Sequence, residues 1–439
     1  MINERVMHTV LACLLGVFAP MALPAQMQHR MTVDELFTLV ESNNNSLRSQ
    51  KTGIEIANHG ITVAKSERLP DVKASLAFTY YGNVLMTDRD FSDVKGMSAP
   101  HYGNSFALEA QQTVYAGGAI DAGIRLAELQ KRQSEEGVRQ TRAQQRFMAL
   151  GMYLDLFKIN NSIRVYEKNI SLTEKLIADI KAKQTQGMAL KNDVTRYELQ
   201  METLRLGLKK QQDLRAIQNH QLCNALGLTG EEIQPDTTII NNVYGKDGET
   251  SWQNRAAASS PVLRQSELGV QQANQQLKLA KSDMLPKVFA FAADNFSGPF
   301  INDIPPIDKN FNFWYVGVGV NYSLSSLFKS NKKLRQAKVA TRQSMEQHTV
   351  AAEAIDNQVQ QAYTLYEQSY VELQTQQKNV QLSNQNYQVV NDRYLNQLAL
   401  ITDMLDASNI KLNAELQEVD ARINIVYAYY KMKYITGEI

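Results

Sequence analysis

The chain has 439 residues, and its 46 Lys and Arg against 45 Asp and Glu leave almost no net charge. That balance excludes the basic excess expected of a nucleic-acid surface. Cys13 and Cys223 alone provide no disulfide framework, and the six histidines are scattered, none at metal-ligand spacing.

Arg5 precedes an apolar run from about Thr9 to Leu23 that ends in Leu23-Pro-Ala25. This predicts a signal peptide over residues 1–25, cleaved after Ala25. Lipidation at Cys13, in Val10-Leu-Ala-Cys13, is the competing reading. No other stretch is long and apolar enough for a membrane helix. An exported chain of this kind that spans a membrane must do so with strands.

Residues 26–69 read as helix, with Thr32-Val-Asp-Glu35 in the form of a capping box and a break at Asn43-Asn-Asn45. Val72, Ala74, Leu76, Phe78 and Tyr80 then alternate with polar or small residues, which is strand periodicity. Residues 82–104 read as a polar loop. Phe106, Leu108, Ala110 and Val114 mark a second strand, closed by Gly117-Gly118. In the second half, strands are predicted at residues 287–295 and 311–323, the latter alternating Trp314, Val316, Val318, Val320 and Tyr322 with Tyr315, Gly317, Gly319 and Asn321. Each has the length that a tilted membrane strand needs. A single chain offers four strands, too few to close a barrel, so the membrane reading demands several copies. The competing reading is a half-buried hairpin packed on helices.

The rest reads as long helix. A helix from Gly118 to Gln186 would be roughly 100 Å long at about 1.5 Å per residue. Its apolar positions Leu150, Leu154, Phe157, Ile163, Tyr166, Ile170, Ile177 and Ile180 predict an antiparallel coiled-coil seam. Return helices follow two short turns, Gln184–Val194 and Tyr394–Asp406. Gly187 can end the first helix in the left-handed region. Asp193 and Asp403 can cap the helices that follow, which leaves Asp406 unexplained.

The two halves repeat each other. Ala64-Lys-Ser-Glu-Arg-Leu-Pro70 returns as Ala280-Lys-Ser-Asp-Met-Leu-Pro286, a spacing of 216. Downstream the spacing is 210: Tyr153 with Tyr363, Asp193 with Asp403, Gly227 with Gly437. The expected division is a first repeat at 26–230 (hairpin about 72–115, tip near 187–193), a linker at 231–260, and a second repeat at 261–439 (hairpin about 287–323, tip near 397–403). The chain contains no Gly-rich phosphate loop, nucleophile elbow or metal constellation, so no enzyme is expected.

The duplication, the Ala-Lys-Ser-x-x-Leu-Pro before each hairpin, Val114-Tyr-Ala-Gly-Gly118 and the two tip turns together resemble the TolC family of outer-membrane efflux proteins. The resemblance covers nearly all of the chain after the signal. It implies a mainly helical fold with membrane strands. Three chains would join their strands into a 12-stranded transmembrane β-barrel, continued into the periplasm by a helical α-barrel. It implies a passive exit duct, with no cofactor, for a tripartite efflux or type I secretion system. The expected partners are a homotrimer, outer-membrane lipid, a periplasmic membrane-fusion adaptor and an inner-membrane pump. By the same resemblance, Gly187, Met188, Ala189 and Leu190, and Gln397, Leu398, Ala399 and Leu400, would be the adaptor-contact tips. Gln397 departs from the glycine usual there. Asp403 and Asp406 would form acidic gating rings. Asp193 and Tyr394 match the closed-state lock, while Ala399 stands where some members carry Arg, which leaves the lock without that cation. The reading from another class is a periplasmic coiled-coil scaffold with no channel.

Overall fold

The computed structural model describes residues 28–241, 244–245, 247–303, 306–396 and 398–439. The predicted signal peptide at 1–25 and the tip residue Gln397 lie outside them. The elements in order are β1 (Gln28–Met31), α1 (Val33–Asn43), α2 (Asn45–Ser66), β2 (Asp71–Tyr80), β3 (Val84–Met86), β4 (Lys95–Met97) and β5 (Tyr102–Tyr115). Then come α3 (Ala119–Thr185), α4 (Lys191–Leu226), β6 (Glu232–Pro235), α5 (Thr238–Asn241) and α6 (Glu249–Ser259). The chain finishes with α7 (Pro261–Ser282), β7 (Lys287–Gly298), β8 (Phe311–Asn321), α8 (Ser326–Leu395) and α9 (Ile401–Thr436).

Pro70 and Pro286 act alike. A proline cannot continue a helix and keeps the residue before it out of helical space. Each preceding helix therefore closes with one tight turn: Leu69 N–H donates to Ser66 O at 2.8 Å, and Leu285 N–H to Ser282 O at 3.0 Å. A strand begins directly afterwards in both copies. The four long strands form one antiparallel sheet in the order β2-β5-β7-β8. One face collects Val72, Leu76, Phe78, Phe106, Leu108, Val288, Ala290, Trp314, Val316, Val318 and Val320. The other carries Lys73, Ser75, Thr79, Glu109, Gln111, Asn295 and Asn321 among aromatic and small residues. On the apolar face, Val316, Val318 and Val320 are 69%, 73% and 67% exposed. The first loop holds a small hairpin, β3 with β4, which its polar composition concealed.

The helices lie side by side. Next to the sheet the order is α2, α3, α7, α8; towards the far end it is α4, α3, α9, α8. Two apolar clusters hold them. The larger gathers Leu150, Tyr153, Trp252, Tyr366 and Val426 where the short elements wrap the helices. The smaller, at the far end, gathers Leu176, Ile180, Val194, Tyr197, Ile401 and Met404. The seam predicted along α3 needs correction between them. Ile163, Tyr166, Ile170 and Ile177 are only half-buried, while Ser162, Asn169 and Thr173 are buried. Here α3 faces α9 as well as α4, so two partners share its surface and the buried line shifts by a residue. Glu415 of α9 sits in this polar stretch and accepts bonds from Lys168 Nζ at 3.0 Å and Asn169 Nδ2 at 3.2 Å. A buried carboxylate needs such partners.

The helix predicted for residues 26–69 begins later than expected. Residues 28–31 instead form β1, paired parallel with β6 from 200 residues away. A local reading cannot see a partner at that distance. The Tyr153 hydroxyl ties the pair to α3, donating to Met31 O at 2.8 Å and accepting from Asp236 N–H at 2.7 Å. Only half of the predicted capping box forms. Thr32 Oγ1 accepts from Glu35 N–H at 3.3 Å, but the Glu35 carboxylate turns to His29 Nε2 at 2.8 Å. The other ring nitrogen of His29 faces Glu231 at 2.9 Å. The bond to Glu231 raises the His29 pKa; burial opposes it, and Glu35 adds to it. Because the folded value is raised, the stabilisation is complete below the unfolded value of about 6.5 and is lost as pH rises through the folded value. The melting-temperature gap between wild type and His29→Gln should therefore be widest near pH 6 and close towards pH 9. A gap constant across that range would remove the charged histidine from the account.

Candidate functional site: the paired tip turns

Two turns close the far end. In the first, Gly187 has φ +76°, a backbone that glycine adopts without strain. Met188 N–H then reaches back to Lys183 O at 2.9 Å. After the turn the Asp193 carboxylate accepts from Leu190 N–H at 3.1 Å, capping α4. The second turn repeats this 210 residues later. Leu398 N–H donates to Arg393 O at 2.7 Å, and the Asp403 carboxylate accepts from Leu400 N–H at 3.0 Å, capping α9. The capping roles expected of both aspartates are thus present.

The tips present apolar side chains to solvent. Met188, Leu190, Leu398 and Leu400 are exposed, whereas Ala189 and Ala399 are half-buried. Ala189 packs on the smaller apolar cluster. Exposed apolar side chains at the ends of two adjacent hairpins form a surface suited to a protein partner.

One turn into α9, Met404 and Ala407 are buried while Asp403 and Asp406 are exposed. Asp406 therefore projects from the helix face opposite the packing seam, while Asp403 lies at the seam's margin next to Ala407. Asp403 is engaged by its own helix terminus.

Tyr394 packs on the smaller cluster. Burial raises its phenol pKa, and the charge of Asp193 adds to the effect. Asp193 on α4 and Tyr394 at the end of α8 are thus brought into one electrostatic neighbourhood. Lys183 joins them: its Nζ lies 5.7 Å from the Tyr394 ring centroid and 3.4 Å from Leu395 O. A cation over an aromatic face is attractive. The sequence reading missed Lys183. Its signal was available, since Lys183 stands 210 residues before Arg393, so each copy ends its descending helix with a cation.

Among the described residues no group of three His, Cys, Asp or Glu is placed to hold a metal ion. Among the same residues no helix is long and apolar enough to cross a membrane.

Residues 252–438 match the family model described as Outer membrane efflux protein. The chain aligns at 20% identity over 401 residues, 90% of its length and 83% of the relative's, with the outer membrane efflux protein BepC of Brucella suis biovar 1 (strain 1330). Its fold is similar to that of CusC, with a TM-score of 0.80 at 15% identity, covering 92% of this chain and 91% of that one. It is also similar to the outer membrane protein VceC of Vibrio cholerae, with a TM-score of 0.76 at 13% identity, covering 92% and 96%. The second half of the chain thus matches the outer membrane efflux protein model, and the chain along most of its length is similar to such proteins in sequence and in fold.

Proposed function

We propose that three copies of this chain form the outer-membrane exit duct of a tripartite efflux or type I secretion system. The observation that carries this reading is the pair of unpartnered edges on one protomer. β2 and β8 end the sheet with free backbone groups, and long free edges beside an apolar face need a partner. Three such sheets joined edge to edge make twelve strands, with Val316, Val318 and Val320 towards lipid and the polar face inside.

The helical edges match as well. α8 descends to the tip and α4 climbs from it. Val389, Leu382 and Val371, all exposed on α8, lie roughly 9, 20 and 36 Å above its lower end. Leu199, Leu206 and Leu214, exposed on α4, lie roughly 12, 23 and 35 Å above its start. Packed between neighbouring copies, these two rows would meet at matching heights and close the helical barrel in the periplasm.

The repeats at 26–230 and 261–439 supply the two hairpins of each kind, and the linker at 231–260 forms part of an equatorial belt around the middle of the duct. Gly187, Met188, Ala189 and Leu190, with Leu398, Ala399 and Leu400, form the adaptor-contact surface. The inner-membrane pump feeds the duct beyond the adaptor. Tyr394, Asp193 and Lys183 clasp the two hairpins of each chain in the closed state. Asp403 and Asp406 become two rings of three carboxylates at the narrowest point.

This reading predicts that di- and trivalent cations added on the periplasmic side block conductance. Asp403→Ala with Asp406→Ala should abolish the block and leave assembly intact. Planar-bilayer recordings decide the matter, and undiminished block in the double variant would place the gate elsewhere. Because Asp403 also caps α9, the double variant should lose about 1 kcal/mol of helix stability. Asp403→Asn, which can still accept the Leu400 N–H bond, separates capping from charge.

A further inference from the structure

The polar face of the sheet is interrupted by a run of rings. Phe289, Phe291, Tyr315 and Phe313 follow one another with centroid separations of 5.8, 6.0 and 6.4 Å. Phe289 pairs across the strands with Gly319, and Phe291 with Gly317. A Cβ on Gly319 would come 2.5 Å from Phe289 Cζ, and one on Gly317 would come 2.7 Å from Phe291 Cζ. Glycine at both positions therefore lets the rings lie across β8. Any larger residue would push them off it.

One cross-strand row on the same face reads Lys73, Glu109, Ala293, Tyr315. Ala293 is 8% exposed. Its neighbours on this face are Phe291 and Asn295 along β7, Glu109 on β5 and Tyr315 on β8, so a small floor is walled by two rings, an amide and a carboxylate. Lys73 is held by Asp71 at 2.9 Å. Glu109 faces Lys73 directly across the strands and shares its charge with it, yet it remains exposed and stands one strand from Phe291. Serines and threonines, which this face carries at Ser75, Thr79, Ser105, Thr113 and Ser297, would wet a conduit equally well. Rings beside a carboxylate attract a flat cation through its π surface and its charge together.

We propose that the ladder Phe289–Phe291–Tyr315–Phe313, with Glu109 beside it, is a weak track for planar aromatic cations passing through the duct, repeated once per protomer. The inference rests on the trimeric-duct reading, which puts this face in the lumen. Weak binding is what a conduit requires, since cargo must leave as readily as it enters.

The test uses the processed chain in lipid nanodiscs, carrying Cys223→Ser, with ethidium as the probe. Asn295→Cys lies beside the rings, and Val316→Cys lies on the opposite face. A membrane-impermeant maleimide should label the first and spare the second. Ethidium should slow labelling of Asn295→Cys saturably, and its half-protecting concentration should rise about fivefold in Tyr315→Leu, the effect of losing one cation–π contact in an exposed site. Phe291→Leu with Tyr315→Leu should abolish that protection, and Glu109→Gln should weaken it. Labelling at Val316→Cys in place of Asn295→Cys would overturn the duct orientation itself. Labelling at Asn295→Cys that ethidium leaves unchanged, or protection that survives the leucine pair, would overturn the track and leave the duct standing.

Discussion

Val318→Arg is expected to cost each chain about 2–4 kcal/mol of membrane stability if position 318 lies near the bilayer midplane. Val318 is 73% exposed, at the centre of an apolar row that runs through Val316 and Val320. In a single chain in water such a row would be a liability. Against lipid it is the surface the sheet needs. The neighbouring position behaves differently for a local reason. Gly319→Ala would press on the Phe289 ring, so its effect is a steric shift on the polar face of the sheet, with no charge added. Heat-modified migration of the extracted oligomer measures the difference: Val318→Arg should reduce the inserted, slow-migrating species far more than Gly319→Ala does. Arginine tolerated at 316, 318 and 320 alike would reverse the assignment of the two faces.

Gly187→Trp should abolish transport while leaving the amount of assembled protein in the membrane unchanged. Position 187 is exposed and nothing lies within 4 Å of a Cβ built there, so bulk alone meets no clash inside the chain. Its φ of +76° adds local strain at the turn, which Gly187→Asn would largely avoid because asparagine tolerates that region. The tryptophan instead stands beside Met188 and Leu190, on the surface assigned to the adaptor. Efflux of a tracer from intact cells, with assembly checked in parallel, separates docking from folding. Normal efflux by Gly187→Trp would remove this tip from the docking surface, and equal loss in Gly187→Asn would point to turn geometry instead.

Most of the architecture was legible because it rests on local signals. Pro70 and Pro286 mark the helix-to-strand junctions by steric necessity. Strict alternation marks β2 and β8. The duplication doubles every weak signal and places the second tip by counting 210 from the first. Three features were hidden for one common reason, that the partner lies far away in sequence. β1 is a strand only because β6 is beside it. The α3 seam shifts at Ser162 and Asn169 because α9 competes with α4 for the same surface. Lys183 meets an aromatic ring only when α8 brings Tyr394 over it. In the site, the capping bonds of Asp193 and Asp403 were readable from residue type and position. Asp406 was named only through the family resemblance, because the role proposed for it would need two further copies of the chain.

The most direct test of the central claim is the mass of the native particle. Full-length protein extracted from outer membranes and held in nanodiscs should contain three chains, resist dissociation until heated, and require lipid or detergent to stay in solution. A chain that purifies as a stable monomer in plain buffer, with Val316, Val318 and Val320 open to water, would contradict the account and favour a periplasmic scaffold.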